Sequence, residues 1–477
     1  MERDSESMHT HSLLFLYDFV FPNMFLPNAL ITEYGIVNYL SSLHARQVSS
    51  GALYKEHGFN DQTIGGILYE SAFGNHPNTQ PGSHMASPWY SDYFEYTQGS
   101  LFEWQHKVNK YFYPIRISPN VNDFIGISHP GSKSNGEYFW KHMSTMALQD
   151  AQQGKAIIFI DHAQENFIER YSYVKLHESL ANSGIPKNNI ILAFNSFNAK
   201  EVYERWFPEE ERRLQVRNWP FVMTNTAFHY YSNPRQRMTV QEFKDTKSTI
   251  RNKHFIFKIR RPRDHRLAFL YKIATDDLLE KADWSCLTPI QFDQNDVAAT
   301  QSRYQFELDS DKISELCSNI PHTLDSEQGT TYNTVSAWTD KTPDSHKNSY
   351  LYLCTETFIN GEYKSLTEKV FKPIVNFQPF LFIAYPGALE LLRSLGFKTF
   401  SPFIDESYDD EPDDVKRMGM IYAELNRICS MSKEEMHDWY WGMEEILIHN
   451  HTHFLEIWKN EDHTKELINY MILKAKL

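Results

Sequence analysis

Strand-like and helix-like patterns of apolar residues alternate through the middle of the chain. A helix-like stretch from about residue 138 leads to the β-branched run KAIIFID, which ends at Asp161. A helix-like segment at 171–184, a strand-like run at 188–194, a helix-like segment at 199–207 and a strand-like run at 219–225 follow in turn. Strands that alternate with helices in this way are typical of a parallel α/β sheet.

The alternation restarts after the polar segment 232–252, which we predict to be a linker or a linking helix. The strands of this second part are HFIFKI, SYLYLCTET and QPFLFIA, and helix-like segments follow each of them. Further helix-like patterns, at 415–428 and from 453 onward, close the chain. We therefore predict an α/β fold with two Rossmann-like domains facing across a cleft and long C-terminal helices. Ligands of such sheets bind at the carboxyl ends of the strands, so the cleft is the predicted site.

The balance of charges disfavours nucleic acid as a partner. The 477 residues include 47 basic and 61 acidic side chains, which give a net charge of -14. A chain with this charge repels a polyanion unless its basic residues gather locally.

The cysteines and the N-terminus indicate a reduced, soluble protein. Cys286, Cys317, Cys354 and Cys429 lie too far apart for the short spacings of metal or redox motifs. The chain begins with an acidic leader, and Asp18 interrupts the apolar run that follows it. Because no stretch approaches about 18 consecutive apolar residues, we expect no membrane span and predict a cytoplasmic location.

A cluster of cationic side chains follows the strand HFIFKI. Arg260, Arg261, Arg263, His265 and Arg266 lie where this strand gives way to a helix. Backbone N–H groups at a helix start favour an anion, and guanidinium groups add bidentate donors to phosphate oxygens. The turn is therefore a predicted phosphate site, and its alternative is a solvated basic face that pairs with the acidic surplus.

The segment GEYKSLTEKVFKPIV contains a second helix start. Ser365 and Glu368 have the spacing of a capping box, in which each side chain bonds the backbone N–H of the other. Lys369 is then unexplained, since a cation near a helix N-terminus opposes the dipole and needs a negative partner. Pro373 cannot bond the carbonyl of Lys369, so the helix is expected to kink or to start late. Departures of this kind tend to fall at functional sites.

The run SLTEKVFKPIVNFQPFLF, with TET upstream and PGALELLRSLGFKTF downstream, resembles the donor-binding half of GT-B glycosyltransferases of the fucosyltransferase-like superfamily. The similarity covers about residues 250 to 400. It implies that Glu368 binds the ribose hydroxyls of a nucleotide sugar and that Lys369 binds its phosphates. Thr367 and Glu356, of the same TEK and TET motifs, become further predicted substrate-binding residues, with the arginines of the 260–266 turn as additional phosphate contacts.

The resemblance also implies a division of labour along the chain. Residues 136–235 become the acceptor domain, 250–450 the donor domain and 451–477 a C-terminal helix. The aromatic-rich region 1–135 is either an extension for acceptor recognition or part of the first domain. The implied reaction is an inverting sugar transfer from a nucleotide diphosphate sugar to a glycan. Fixed cations stabilise the departing diphosphate, so neither a metal nor a cofactor is expected.

The acceptor hydroxyl needs a general base, which in enzymes of this shape projects from the first domain. The candidates are Asp161, which ends a buried strand beside His162, and Glu165, which follows in the loop. The alternative for Asp161 is that it caps the next helix. The sequence does not decide between Asp161 and Glu165.

Three other polar motifs receive structural interpretations. In the DxD triplet, Asp309 is predicted to cap a helix rather than to bind a metal. The acidic run 403–414 is predicted to be solvated, and its alternative is a site for acceptor hydroxyls or a cation. The alternating histidines at 449, 451 and 453 have a period of two and are predicted to form a turn between helices.

Two other functions remain as alternatives. One is a viral or phage enzyme that glycosylates modified DNA bases in the host cytoplasm, against which the net charge argues. The other is a catalytically silent protein that keeps the cleft to bind a nucleotide sugar or a glycan.

Overall fold

The computed structural model describes residues 12–17, 95–100, 109–116, 145–162, 170–209, 213–324, 344–457 and 462–476. These residues fall into two compact units. One contains the residues up to 221 together with those after 460, and the other contains residues 222–460.

The first unit is built on a six-stranded parallel sheet. Its strands are β1 (Ser12–Tyr17), β2 (Glu95–Ser100), β3 (Tyr111–Arg116), β4 (Ala156–His162), β5 (Ile190–Phe194) and β6 (Gln215–Asn218). They lie in the order β2-β1-β3-β4-β5-β6, and each pair is parallel. Among the described residues, the helices between them are α1 (Thr145–Gln152), α2 (Arg170–Ser183) and α3 (Ala199–Trp206).

The second unit contains a four-stranded parallel sheet and most of the helices that the structure describes. Its strands are β7 (Lys253–Ile259), β8 (Ala282–Cys286), β9 (Ser349–Thr355) and β10 (Phe380–Ile383), in the order β10-β9-β7-β8. The helices that precede β10 are α4 (Phe221–Ser232), α5 (Val240–Asp245), α6 (Asp264–Thr275), α7 (Gln294–Tyr304), α8 (Ser310–Ser318), α9 (Asp344–Lys347) and α10 (Glu368–Val375). Those that follow it are α11 (Ala388–Ser394), α12 (Asp414–Cys429), α13 (Lys433–Trp441) and α14 (Glu444–Ile457).

The last helix, α15 (Asp462–Lys476), belongs to the first unit although it follows the second in the chain. Its apolar face, which includes Leu467, Ile468 and Met471, packs into the core formed by β3, β4 and β5. Trp219 lies in the same core. The C-terminal helix thus covers apolar surface of the six-stranded sheet, which would otherwise be exposed to water.

The predicted α/β class with two parallel sheets is confirmed. One predicted strand, at 219–225, is wrong, because β6 ends at Asn218 and α4 begins at Phe221. The run is buried, and a short buried apolar run can be a helix as readily as a strand. Strand β8 was not predicted, since its sequence ADWSC mixes polar and apolar residues without a clear period.

Three strands are buried along their whole length. Every residue of β5, β9 and β10 is buried, which matches their continuous apolar sequences. All four cysteines are free thiols, as predicted, and all four are buried. None of the helices in the described part of the chain combines the length and apolar character that crossing a bilayer requires.

Candidate functional site

The second sheet reverses its direction of growth between β7 and β9. After β7 the chain forms β8 on one side of it and then β9 on the other side. The connections that leave two such strands diverge and open a crevice at their carboxyl ends, where ligands of doubly wound sheets bind. The 260–266 turn follows β7, and Glu356 follows β9. Both sequence motifs therefore lie at the switch point.

His265 and Arg266 join the turn to the end of β9. The Nε2 atom of His265 lies 3.0 Å from the carbonyl oxygen of Glu356, and Arg266 donates to the same oxygen at 2.9 Å. Burial, together with the positive charge of Arg266, lowers the pKa of His265 to about 3. The imidazole is therefore neutral at pH 7, and its Nε2–H donates to the carbonyl.

Arg266 was predicted to contact phosphate, and the structure places it beneath the turn. Its guanidinium group also donates to the carbonyl oxygens of Arg261 at 3.1 Å and Thr355 at 3.4 Å. Its Nε atom is buried and has no hydrogen-bond partner among the described residues. Burial, followed by repulsion from Arg263, lowers its pKa to about 10, so the group stays charged at neutral pH.

The other three arginines of the turn reach the surface. Arg261 is exposed, and Arg260 and Arg263 are half-buried. The guanidinium carbon of Arg263 lies 5.0 Å from the centroid of the Phe358 ring, within the range of a cation–π contact. Arg263 is also the N-cap of α6, a helix of 12 residues. These groups form a cationic edge at a helix start, where an anion is favoured.

Glu356 organises the chain on the other side of the switch point. Only 2% of the residue is exposed, and its carboxylate accepts the backbone N–H of Thr357 at 3.0 Å. It also accepts the backbone N–H of Thr367 at 3.0 Å, and its Oε2 lies 2.7 Å from the Thr367 hydroxyl. Glu356 was predicted to bind substrate, but these contacts within the protein occupy its carboxylate instead.

Lys369 contacts the two threonines that bond the carboxylate of Glu356. Its Nζ atom is 3.0 Å from the hydroxyl oxygen of Thr367 and 3.3 Å from that of Thr357. It also forms an ion pair with Glu368 at 3.1 Å. The two charged side chains remain partly exposed, with 25% of Lys369 and 16% of Glu368 accessible. The negative partner that the sequence required for Lys369 is thus its own neighbour in the chain.

Glu368 is held in its ionised form. Burial is the largest single influence and opposes ionisation, but the charges of Lys369 and Lys372, together with hydrogen bonds to the carboxylate, outweigh it and keep the pKa of Glu368 below its usual value. At neutral pH its oxygens can therefore accept hydrogen bonds from hydroxyl groups.

The predicted capping box of Ser365 and Glu368 is wrong. Helix α10 begins at Glu368, its N-cap is Thr367, and the side chain of this N-cap bonds no amide of the helix in the described structure. The Thr367 hydroxyl is directed to Glu356, while Ser365 is buried two residues earlier. Pro373 lies inside α10 and does not delay its start.

The acidic run 403–414 supports the neighbouring helix. Asp409, predicted to be solvated, is 3% exposed, and its carboxylate accepts the backbone N–H groups of Leu389 and Glu390 at 2.9 Å each. Its carbonyl accepts the N–H of Gly387 at 2.7 Å. Asp409 therefore closes the start of α11 from another part of the chain. Burial raises the pKa of this carboxyl group.

The remaining polar motifs are structural. Asp309 is the N-cap of α8 and accepts the N–H groups of Asp311 and Lys312, as predicted. The predicted turn at the three histidines is wrong, because all three lie inside α14. His449 and His453 each lie within hydrogen-bond distance of a carbonyl just beyond α11. Residues four apart share a helix face, so a period-two pattern here contains a helical pair.

The candidate general bases belong to the first unit. Asp161 lies near the carboxyl end of β4, in register with Ala193 of β5. Glu165 lies outside the described residues.

Two site residues were not predicted. Thr357 contacts Lys369, and it follows Glu356 in the TET motif, which could have drawn attention to it. Arg417 lies in α12, and although arginine is mostly found at protein surfaces, it is 2% exposed. It donates to the carbonyl oxygens of Ala384 at 3.0 Å and of Ile359, and so joins the segments that follow β9 and β10.

Comparisons with known proteins find similarity in structure but not in sequence. No protein-family model and no curated protein matches the chain. A solved trehalose-6-phosphate synthase is 14% identical with a TM-score of 0.29, over 68% of this chain and 74% of that one. A UDP-forming α,α-trehalose-phosphate synthase from Burkholderia vietnamiensis is 12% identical with a TM-score of 0.32, over 74% and 79% of the two chains. One from Burkholderia xenovorans, in complex with glucose-6-phosphate, is 13% identical with a TM-score of 0.30, over 70% and 77%.

Proposed function

We propose that the chain is a GT-B glycosyltransferase of the fucosyltransferase-like type, which transfers a sugar from a nucleotide diphosphate sugar to a glycan hydroxyl. The observation that carries the proposal is the pair of Glu368 and Lys369 at the start of α10. Both side chains are charged and partly exposed, and they lie at the switch point of a doubly wound sheet, where such folds bind ligands.

Each member of the pair has chemistry that suits one part of the donor. A carboxylate accepts hydrogen bonds and can take both hydroxyls of a ribose, which is the role proposed for Glu368. An ammonium group with three N–H donors can bind phosphate oxygens, which is the role proposed for Lys369. A bound diphosphate would compete with Glu368 for Lys369, so donor binding exchanges one ion pair for another.

The 260–266 turn provides the second set of phosphate donors. Arg260, Arg261 and Arg263 extend from the strand end next to β9, and Arg263 caps the helix that begins there. In the transfer, the acceptor oxygen attacks the anomeric carbon while the bond from that carbon to the diphosphate breaks. The negative charge that develops on the diphosphate is stabilised by these arginines and Lys369, so the proposed reaction is inverting and needs no metal.

The acceptor hydroxyl must lose its proton as the new bond forms. The proposal assigns this proton to Asp161 or Glu165, of which Asp161 lies near the carboxyl end of a central strand. General base catalysis contributes about 10²- to 10⁴-fold to a rate. Turnover by Asp161→Asn and Glu165→Gln separates the two candidates, because only the variant that lacks the base should lose activity on this scale.

A thermal-shift and hydrolysis screen with GDP, UDP, CMP and their sugars tests the donor site. One nucleotide diphosphate should raise the Tm by about 5 °C at saturating concentration. Lys369→Ala and Glu368→Ala should lose most of this shift while they keep the Tm of the free protein within about 2 °C. If no nucleotide shifts the wild type, or if both variants respond like it, the donor site is elsewhere or absent.

Three measurements on the wild-type protein distinguish the proposed transfer from the alternative functions. Activity in excess chelator is expected for a metal-independent transfer. DNA binding with a steep salt dependence would favour the DNA-base glycosyltransferase. A nucleotide shift without turnover on any glycan acceptor would favour a binding protein.

A further inference from the structure

We propose that Glu356 is a positioning residue, whose buried carboxylate fixes the ammonium group of Lys369 through the hydroxyls of Thr367 and Thr357. The role of this arrangement rests on the proposed function, since a positioned ammonium group would bind the diphosphate of the donor. The arrangement itself can be tested without any nucleotide.

The direction of each hydrogen bond follows from what its groups can do. The backbone N–H groups of Thr357 and Thr367 can only donate, and both point to the carboxylate of Glu356. The ammonium group of Lys369 can also only donate, so the Thr367 hydroxyl must accept from it. The single hydroxyl proton of Thr367 is then free to donate to Glu356. A directed chain thus runs from Lys369 through Thr367 to Glu356.

A second, shorter arm supports the first. Thr357 is fixed by its backbone N–H to Glu356, and its hydroxyl oxygen lies 3.3 Å from the same ammonium group. One carboxylate therefore sets the position of two hydroxyl oxygens, both of which accept from Lys369. The chain of hydrogen bonds has a charged group at each end. Hydrogen bonds that involve a charged group are about twice as strong as neutral ones.

The backbone of Glu356 is also held in place. His265 and Arg266, of the arginine turn, both contact the backbone carbonyl of Glu356. Glu356, which positions Lys369, is thus bonded to the 260–266 turn, which carries the other predicted phosphate contacts. The desolvation of the buried carboxylate is offset separately, by the N–H groups of Thr357 and Thr367 and by the Thr367 hydroxyl.

The first experiment measures the reactivity of Lys369 in the free protein. Acetylation by acetic anhydride is followed by mass spectrometry in the wild type and in Glu356→Gln, Thr367→Val and Thr367→Ser. Lys372, in the same helix, is the internal control. Loss of one charge-assisted bond should raise the Lys369 rate about tenfold in Glu356→Gln and Thr367→Val. Thr367→Ser, which keeps the hydroxyl, should restore the wild-type rate, and Lys372 should not change.

The second experiment measures coupling by calorimetry with the nucleoside diphosphate that the donor screen identifies. Glu356→Gln should weaken binding about tenfold in the wild-type background and should have no further effect in a Lys369→Met background. A purely structural role would give effects that multiply in the double variant, and the same loss would then appear with the nucleoside alone.

The two experiments separate failure of this inference from failure of the proposed function. If Lys369 reacts equally in the wild type, Glu356→Gln and Thr367→Val, Glu356 does not position it, whatever the protein binds. If reactivity changes as expected but no nucleotide binds, the positioning stands and the proposed function falls. Thr367→Val replaces one hydroxyl by a methyl group, so it tests the link from Lys369 through Thr367 even if Glu356→Gln does not fold.

Discussion

Two helices start at the same edge of the second sheet, and a buried carboxylate serves each start in a different way. At α11, the carboxylate of Asp409 accepts the N–H groups of Leu389 and Glu390 and so closes the helix end. At α10, the carboxylate of Glu356 accepts from the N-cap residue Thr367 instead. The side chain of Thr367 then faces away from the helix amides.

The two helix starts differ in whether the carboxylate bonds the first amides of the helix or the N-cap residue. The first amides of a helix need acceptors, and a buried carboxylate supplied from another segment satisfies them inside the protein. When the carboxylate holds the N-cap residue instead, the helix start presents its own side chains. At α10 these are Glu368 and Lys369, which stay partly exposed. We infer that α11 contributes rigidity and that α10 contributes binding.

Removal of the Asp409 carboxylate should have the largest effect. Asp409→Ala leaves two N–H groups at the helix start without their acceptor, one of them buried, and we expect a loss of about 3 kcal/mol in the free energy of unfolding. Denaturant unfolding measures this loss, with Asp410→Ala as the matched control, since Asp410 is exposed. Folded Asp409→Ala should still bind nucleotide normally. A stability close to that of the wild type would mean that α11 does not depend on this cap.

Glu368→Gln should produce the opposite pattern, with a loss of binding and little loss of stability. An amide is a weaker acceptor than a carboxylate, so nucleotide affinity should fall about tenfold. The wild type should also bind the 2′,3′-dideoxy nucleotide about tenfold more weakly, whereas Glu368→Gln should bind both nucleotides alike. Calorimetry measures all four affinities. An undiminished preference for the ribose hydroxyls in the variant would remove Glu368 from the ribose site.

Acidification should weaken the support of α10 through His265. The folded-state pKa is about 3, whereas the unfolded imidazole titrates near 6.5. As the pH falls from 7 toward 3, the unfolded state takes up a proton that the folded state does not, so stability falls. Between pH 7 and 5.5 the wild type should lose about 1 kcal/mol more than His265→Gln.

Unfolding curves at the two pH values check this difference. Other buried histidines, such as His177 and His451, are common to both proteins, so their contributions cancel. Equal losses in the two proteins would show that His265 is protonated equally in the folded and unfolded states.

Ser365→Ala should have the smallest effect. A working capping box costs about 1 kcal/mol when its serine is removed. Because α10 begins beyond the reach of this box, the change should stay below about 0.5 kcal/mol. Ser432→Ala is the matched control, since Ser432 and Glu435 do form a capping box at α13. A larger loss at Ser365 than at Ser432 would contradict the N-cap assigned to Thr367.

The sequence predicted the features that depend on local patterns. The parallel sheets, the helix start at TEK and the cap at Asp309 all follow from residues close together in the chain. The roles of Glu356 and Asp409 do not, because each carboxylate bonds a helix start 11 to 20 residues away. Ser365 has the spacing of a capping residue, but α10 begins after Thr367, whose side chain bonds the distant carboxylate of Glu356.

The central claim is that the start of α10 binds the diphosphate of a nucleotide sugar through Lys369. The most direct measurement compares, by calorimetry, the affinities of a nucleoside diphosphate and its nucleoside for the wild type, Lys369→Met and Lys372→Met. Both substitutions remove one positive charge from the same helix. We expect the diphosphate to bind the wild type and Lys372→Met about 100-fold more tightly than the nucleoside, and Lys369→Met to lose most of this difference. An equal loss in the two variants, or no preference for the diphosphate in the wild type, would contradict the account.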